Sequence, residues 1–339
     1  MKKLQNSLYI TRQGTYVHKE RETIVIEQER KKLLQIPAHS VQSLYCFGNV
    51  LISPFLMGFC GEQGIGLSMF TEYGRFLGRF HGRQSGNILL RKKQYQLSQQ
   101  QPLSVARGII AAKIVSSRGV FQRQLRNHGD NAVLAKAITS LGQRLEMIRE
   151  CQNLDSLRGF EGEAAAIYFG AFGELLLPSV KADFPFAGRN RRPPKDAINA
   201  MLSFGYSLLG QEIASALQGV GLDPQAGFLH ADRPGRDSLA QDILEEFRAW
   251  WVDRLVLSLV NRKQITAKGF EHQASGAVVM KDDSRKLFLT AWQARKQEEV
   301  THPYLKEKVA IGLLPHVQSL LLARHLRGDL ASYPPFVSR

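Results

Sequence analysis

At 339 residues, 44% of them hydrophobic and 22% charged, the chain has an ordinary globular composition and is long enough for two cores. No run of about 18 apolar residues offers a transmembrane span. Lys and Arg outnumber Asp and Glu by 45 to 30, a net charge of +15 spread along the chain, which points to a polyanionic partner such as nucleic acid. Three widely spaced cysteines, Cys46, Cys60 and Cys151, form no Cys-x-x-Cys pair, which argues against a disulfide framework and a structural zinc site.

The N-terminus, MKKLQNSLYITRQGTY, starts with two lysines. Gln5, Asn6, Arg12 and Gln13 interrupt it before an apolar segment forms, so it reads as a cytoplasmic protein's start rather than a secretion signal. SLYIT, TYVHK, TIVIEQ, LLQIP and VQSLYCF are short runs rich in Tyr, Val, Ile and Leu, and they predict strands. After Ser53-Pro54 a helix is expected over Phe55–Gln63, stopped by Gly64, followed by the strands IGLSMF and GRFLGRF. GEQGIG (61–66) lacks GxGxxG spacing and leads into a strand, so it is a turn and not a nucleotide loop. The expectation is a β-rich, antiparallel or sandwich-like domain over residues 1–85.

From Gly86 the apolar spacing becomes helical. Leu89–Leu97, Val105–Leu125 and Ala132–Ile148 predict three helices, and residues 161–177, 196–219, 238–260 and about 302–327 predict more. PFAGRNRRPPKD (185–196) and residues 264–283 read as irregular connectors. The fold class is therefore α+β, with a larger all-α domain over residues 86–339.

Three segments carry candidate chemistry. In EGEAAAIYFGAF, helical phase sets Glu161 with Ala165, Tyr168 and Phe172 on the packed face and turns Glu163 outward. Glu161 is either a ligand or a helix-start glutamate favoured by the dipole. In GFLHADRPGRDSLAQDILEEFR, His230 ends an apolar stretch before a loop. Ser238 and Gln241 then suggest a capping box, and Asp242 and Glu245 share one helical face. One imidazole and several carboxylates suit Mg²⁺ or Mn²⁺ better than zinc, although solvated acids on an amphipathic helix would give the same spacing. In PFAGRNRRPPKDAINAMLSFGYSLL, Arg189, Arg191, Arg192 and Lys195 surround a Pro-Pro stop. They offer phosphate-binding groups, or else form a solvated loop. Asp196 or Asn199 can start the next helix, on which Tyr206 is a core tyrosine or a site residue.

These three segments, in this order, resemble the CRISPR-associated integrase of spacer acquisition, the universal adaptation endonuclease, and within it the type I-C branch. LYITRQGTYVHKERETIVI, the stretch from IPAHSVQ to FLGR, and GNILLRKKQY extend the likeness across nearly the whole chain. The resemblance implies a β-rich N-terminal dimerisation domain and a helical catalytic domain. It implies metal ligation by Glu161, His230 and Glu245, with Asp242 as a supporting acid or occasional ligand. It also implies a role for Tyr206 near the site and DNA contacts from Arg189, Arg191, Arg192 and Lys195. The implied activity is metal-dependent transesterification that inserts short double-stranded DNA fragments into a CRISPR repeat, as antiviral defence. The implied partners are DNA, a second copy of the chain, a small ferredoxin-like adaptation protein and an accessory adaptation nuclease, with no membrane. Two alternatives stay open: a stand-alone nuclease selective for branched DNA, and a non-catalytic DNA-binding scaffold.

Overall fold

A computed structural model describes residues 6–80, 82 and 87–337. The readings of Met1–Gln5 and of a boundary at residues 85 and 86 fall outside the described residues. The chain divides into two compact units: Met1–Gly86 with Arg295–Gln297, and Asn87–Ala294 with Glu298–Arg339.

Among its described residues the first unit holds eight strands: β1 (Asn6–Ile10), β2 (Thr15–Glu20), β3 (Thr23–Gln28), β4 (Lys31–Pro37), β5 (Val41–Phe47), β6 (Val50–Ile52), β7 (Gly66–Phe70) and β8 (Phe76–Phe80). They form two four-stranded sheets, ordered β1-β5-β7-β8 and β4-β3-β2-β6. Helix α1 (Pro54–Gln63) connects the sheets, with Ser53 Oγ accepting from Leu56 N at its start and Gly64 left-handed at its end. Ile10, Leu44, Cys46 and Leu67 from one sheet and Val17, Ile24 and Ile26 from the other join Leu56 and Phe59 of α1 in one core. The expected antiparallel arrangement needs correction. β1 and β7 both run parallel to β5, and β6 parallel to β2, so the sheets are mixed. The β5-to-β7 connection contains α1, which supplies the crossover that parallel pairing needs.

The second unit is mainly helical: α2 (Ile88–Gln100), α3 (Pro102–His128), α4 (Ala132–Glu150), α5 (Leu154–Ala171), a short α6 (Pro178–Lys181), α7 (Ala197–Gly219), α8 (Ser238–Phe247), α9 (Arg254–Asn261), α10 (Asp282–Gln297) and α11 (Leu314–Arg327). Two hairpins interrupt the helices, β9 (Phe270–His272) with β10 (Val278–Met280) and β11 (Glu299–Thr301) with β12 (Lys308–Ala310). The unit is thus helical with two-stranded insertions rather than all-α. Asn87, Asn131, Asn153 and Asp196 each accept backbone N–H groups at a helix start, worth about 1 kcal/mol apiece.

The long α3 packs against α4, α5 and α8, and α7 against α8 and α11. Gly205 on α7 allows a close approach, since a Cβ there would lie 2.6 Å from Val252 Cγ1. α8 runs into α9 through a π-helical turn, Arg248–Asp253.

Three expectations change. Glu161 does not open a helix: α5 starts at Leu154, so the dipole reading lapses. Ser238 forms no capping box, because its hydroxyl donates to Ala231 O and the helix start lacks a side-chain cap. Residues 302–313 are hairpin and 3₁₀ turn rather than helix.

Candidate active site

The site is a cavity of about 730 Å³ within the helical unit, walled by α3, α5, α7, α8, the π turn and the 188–191 loop. Glu161, His230, Glu245 and Tyr206 all line it, as do Arg189 and Arg191.

His230 is placed by its backbone. Asp242, fully buried on α8, accepts from three successive N–H groups: Phe228 at 2.6 Å, Leu229 at 3.0 Å and His230 at 3.0 Å. His230 Nδ1 lies 2.6 Å from Asp242 Oδ1, so the ring donates there and keeps Nε2 for a ligand. Gly227 makes this nest possible, since a Cβ there would stand 2.9 Å from Asp242 Oδ2. Gln94 holds the approach to this segment, donating to Asp223 O and Ala226 O and accepting from Asp223 N. Asp242, offered by the sequence as a supporting acid or occasional ligand, has both oxygens engaged by the Phe228–His230 segment.

The carboxylates meet at a lysine. Lys113, from α3, pairs with Glu161 and stands 2.7 Å from Glu245 Oε2. That contact is an ion pair without hydrogen-bond alignment, and it leaves Oε2 buried with no aligned donor. Glu245 Oε1 accepts from Arg248 Nε at 2.9 Å. Burial alone would raise the Glu245 pKa, but Arg248 and Lys113 outweigh it and hold the carboxyl down to about 2. Burial opposes the charge on Lys113, and the two glutamates more than restore it, so its pKa is raised. Glu163 points away and pairs with Arg144 Nε at 2.5 Å, as helical phase predicts.

The π turn extends the wall. Its i→i+5 spacing keeps Arg248 and Asp253, five residues apart, over one another, as residues four apart would be in an α-helix. Buried Asp253 receives the hydroxyls of Tyr206 at 2.5 Å and Tyr168 at 2.9 Å. Burial lifts its pKa to about 6 against the pull of those donors. Arg248 lies 4.4 Å and Arg189 5.4 Å from the Tyr206 ring centroid. Tyr206 is therefore both a core tyrosine with a satisfied hydroxyl and part of the cavity wall.

The basic loop divides in two. Arg189 turns inward, donating to Asn199 Oδ1 at 2.7 Å and Ser203 Oγ at 3.0 Å. Arg191, Arg192 and Lys195 are exposed. Arg236, from the 231–237 loop, has a lowered pKa through burial and then the nearby cations Arg233, Arg191 and Arg192. Arg233, Arg236, Lys113, Arg248 and Asp253 join the cavity or its basic rim without belonging to any motif legible in the sequence.

The donor set fits a divalent cation: two carboxylates, one of whose oxygens is buried without an aligned donor, and an imidazole fixed through its other nitrogen. Among the described residues, His18, Glu20 and Glu27 on the β2–β3 hairpin have donor atoms all within 4.8 Å of one another. Glu161, His230 and Glu245 are not drawn together that tightly. Lys32 Nζ already holds Glu20 at 2.9 Å, and that hairpin trio lies on neither the cavity nor the basic loops.

A basic cavity with paired carboxylates and an oriented histidine is the equipment of a metal-dependent nuclease. The sequence matches the family described as CRISPR associated protein Cas1 over residues 8–294. It is 48% identical to a CRISPR-associated endonuclease Cas1 of Chlorobaculum tepidum over 100% of both chains. It is 45% identical to one of Rhodospirillum rubrum over 99% of each. The chain belongs to the Cas1 family of CRISPR-associated endonucleases. Its fold matches a CAS1 protein from Thermotoga maritima with TM-score 0.80 and 27% identity, covering 96% of this chain and 97% of that one. It also matches a casposase bound to integration product, with TM-score 0.83, 21% identity and coverage of 97% and 93%. A third match is a chain of a Cas6-RT-Cas1–Cas2 complex, with TM-score 0.82 and 20% identity, covering 99% of this chain and 36% of that one. Among the described residues no helix is long and apolar enough to cross a membrane.

Proposed function

We propose that this endonuclease inserts short double-stranded DNA fragments into a CRISPR repeat by transesterification, with Glu161, His230 and Glu245 holding Mg²⁺ or Mn²⁺. The observation that carries the reading is the convergence of those three residues on one basic cavity, with His230 oriented by Asp242. A divalent cation, which membership of this family implies, would supply charge neutralisation at the scissile phosphate and activation of the attacking 3′-hydroxyl. The protein's own groups do the rest. Asp242 fixes the imidazole tautomer. Arg248 keeps Glu245 ionised. Arg191, Arg192, Lys195, Arg233 and Arg236 bind backbone phosphates without reading bases, while Arg189 and Asp253 hold the Tyr206 wall. In strand transfer the 3′-oxygen forms a bond to phosphorus as the repeat's own 3′-oxygen leaves, so no external energy source is needed.

The β-rich unit is assigned to dimerisation and the helical unit to catalysis. A small ferredoxin-like protein would set two active sites a fixed distance apart; one structural relative is a chain of a complex named for Cas1 and Cas2. An accessory adaptation nuclease would trim the fragments. Three buried free cysteines suit a reducing cytoplasm.

The test mixes the chain, the small partner, a 3′-hydroxyl duplex and a plasmid carrying the repeat in Mn²⁺, with a branched duplex in a parallel reaction. Joined product that disappears in Glu161→Gln supports the reading. Cleavage of branched DNA without any joining, partner present, would replace it with a stand-alone nuclease.

A further inference from the structure

Lys113 lines the cavity between Glu161 and Glu245 and has no part in the proposed reaction. It lies between Ala112 and Ile114, both buried on the inner face of α3. Its side chain is 13% exposed, and its ammonium pairs with Glu161 on α5 and Glu245 on α8. Three helices thus converge on one ammonium. With Arg248 on the other oxygen of Glu245, two cations already balance two carboxylates.

A hard divalent cation held by Glu161 and Glu245 would compete with the ammonium for these carboxylates. Holding both would place the ammonium, Arg248 and a dication on two carboxylates in a desolvated wall, which strong repulsion forbids. The balance changes when a DNA phosphate enters. Its negative charge offsets the dication, and it offers the released ammonium a new acceptor in the same cavity. Lysine suits such an exchange, being a compact charge on a flexible four-carbon stem.

We propose that Lys113 is a built-in cation that competes with the divalent ion for Glu161 and Glu245, so that full metal loading waits for DNA and the two bind cooperatively. This rests on the metal-site reading above. The linkage is reciprocal: Mn²⁺ tightens DNA by the factor by which DNA tightens Mn²⁺.

The experiment is Mn²⁺ titration of the full-length chain by calorimetry, with and without an uncleavable branched duplex. It uses wild type, Lys113→Met, Lys113→Gln and Glu161→Gln, each checked for folding by circular dichroism. Wild type should gain about tenfold in Mn²⁺ affinity when DNA is added. Lys113→Met, and Lys113→Gln should Met prove unstable, should bind Mn²⁺ about tenfold tighter than wild type without DNA and lose most of the DNA enhancement. Folded Lys113 variants that bind Mn²⁺ no tighter than wild type overturn the exchange while leaving the metal site standing. Undiminished Mn²⁺ binding by Glu161→Gln overturns the metal site itself, and the exchange with it.

Discussion

His230 and Asp242 are joined twice, through Nδ1 to Oδ1 at 2.6 Å and through the histidine's own backbone N–H to the same oxygen at 3.0 Å. The second link fixes where the residue sits and the first fixes which nitrogen faces the cavity. Asp242→Asn keeps the size but puts an amide donor against backbone donors. The variant should lose 10- to 100-fold in Mn²⁺ affinity, on the order of other residues that orient metal-bound histidines. It should also lose about 2 kcal/mol of stability from an unsatisfied buried group. Calorimetric titration beside urea unfolding checks both, and unaltered metal affinity would show that His230 needs no orienting carboxylate.

Asp253 gives the fold a pH signature. Its folded pKa of about 6 stands above the unfolded value of about 3.9. The group's stabilising contribution is therefore fully present below about pH 4 and is lost as pH rises through 6, amounting to about 3 kcal/mol. Asp253→Asn removes that slope. The stability of wild type relative to the variant should fall between pH 4 and pH 7, as measured by denaturant unfolding at each pH. Parallel curves would contradict the raised pKa.

The residue after Glu245 anchors the C-terminal segment. Glu246, fully buried, accepts from Phe336 N at 2.7 Å, Tyr333 Oη at 2.6 Å and Gln318 Nε2 at 2.9 Å. Phe336 lies 5.2 Å from Phe247 and 4.9 Å from Trp250 between ring centroids. Phe336→Ala should cost about 3–5 kcal/mol in thermal or urea unfolding and reduce activity only as far as the folded fraction falls. A specific activity loss in fully folded variant would instead tie the tail to the site.

The arginine cluster should act on affinity rather than sequence choice. Arg191→Ala or Arg192→Ala should weaken binding to any duplex and reduce the slope of log affinity against log salt by about 1 each. Fluorescence anisotropy across a salt series measures it. An unchanged slope would remove these residues from the DNA contact.

The strands were legible because Tyr, Val and Ile runs between turn residues mark them locally. β6, only Val-Leu-Ile, is too short to register, and its parallel partner β2 lies too far away in sequence to be inferred. α10 was overlooked because its apolar residues Phe288, Leu289 and Trp292 are spaced among charges after a Gly-containing stretch. The helical phase of Glu161 against Glu163 survived even though the helix starts seven residues earlier than its EGEAAA segment suggests, because periodicity is insensitive to where a helix begins. Lys113 was hidden inside an apolar helical face, where nothing local distinguishes a buried ion-paired lysine from a solvated one. Asp253 depends on the π turn, and its place on the cavity wall follows from that backbone shift rather than from α-helical spacing.

In the proposed mechanism this cavity holds the reactive cation. Crystals of the chain with DNA and Mn²⁺, measured at the manganese absorption edge, test it directly. The expected result is an anomalous peak bounded by Glu161, Glu245 and His230 Nε2. A crystal whose manganese sits only at His18, Glu20 and Glu27, or one with DNA in the cavity and no peak between the two glutamates, would contradict it.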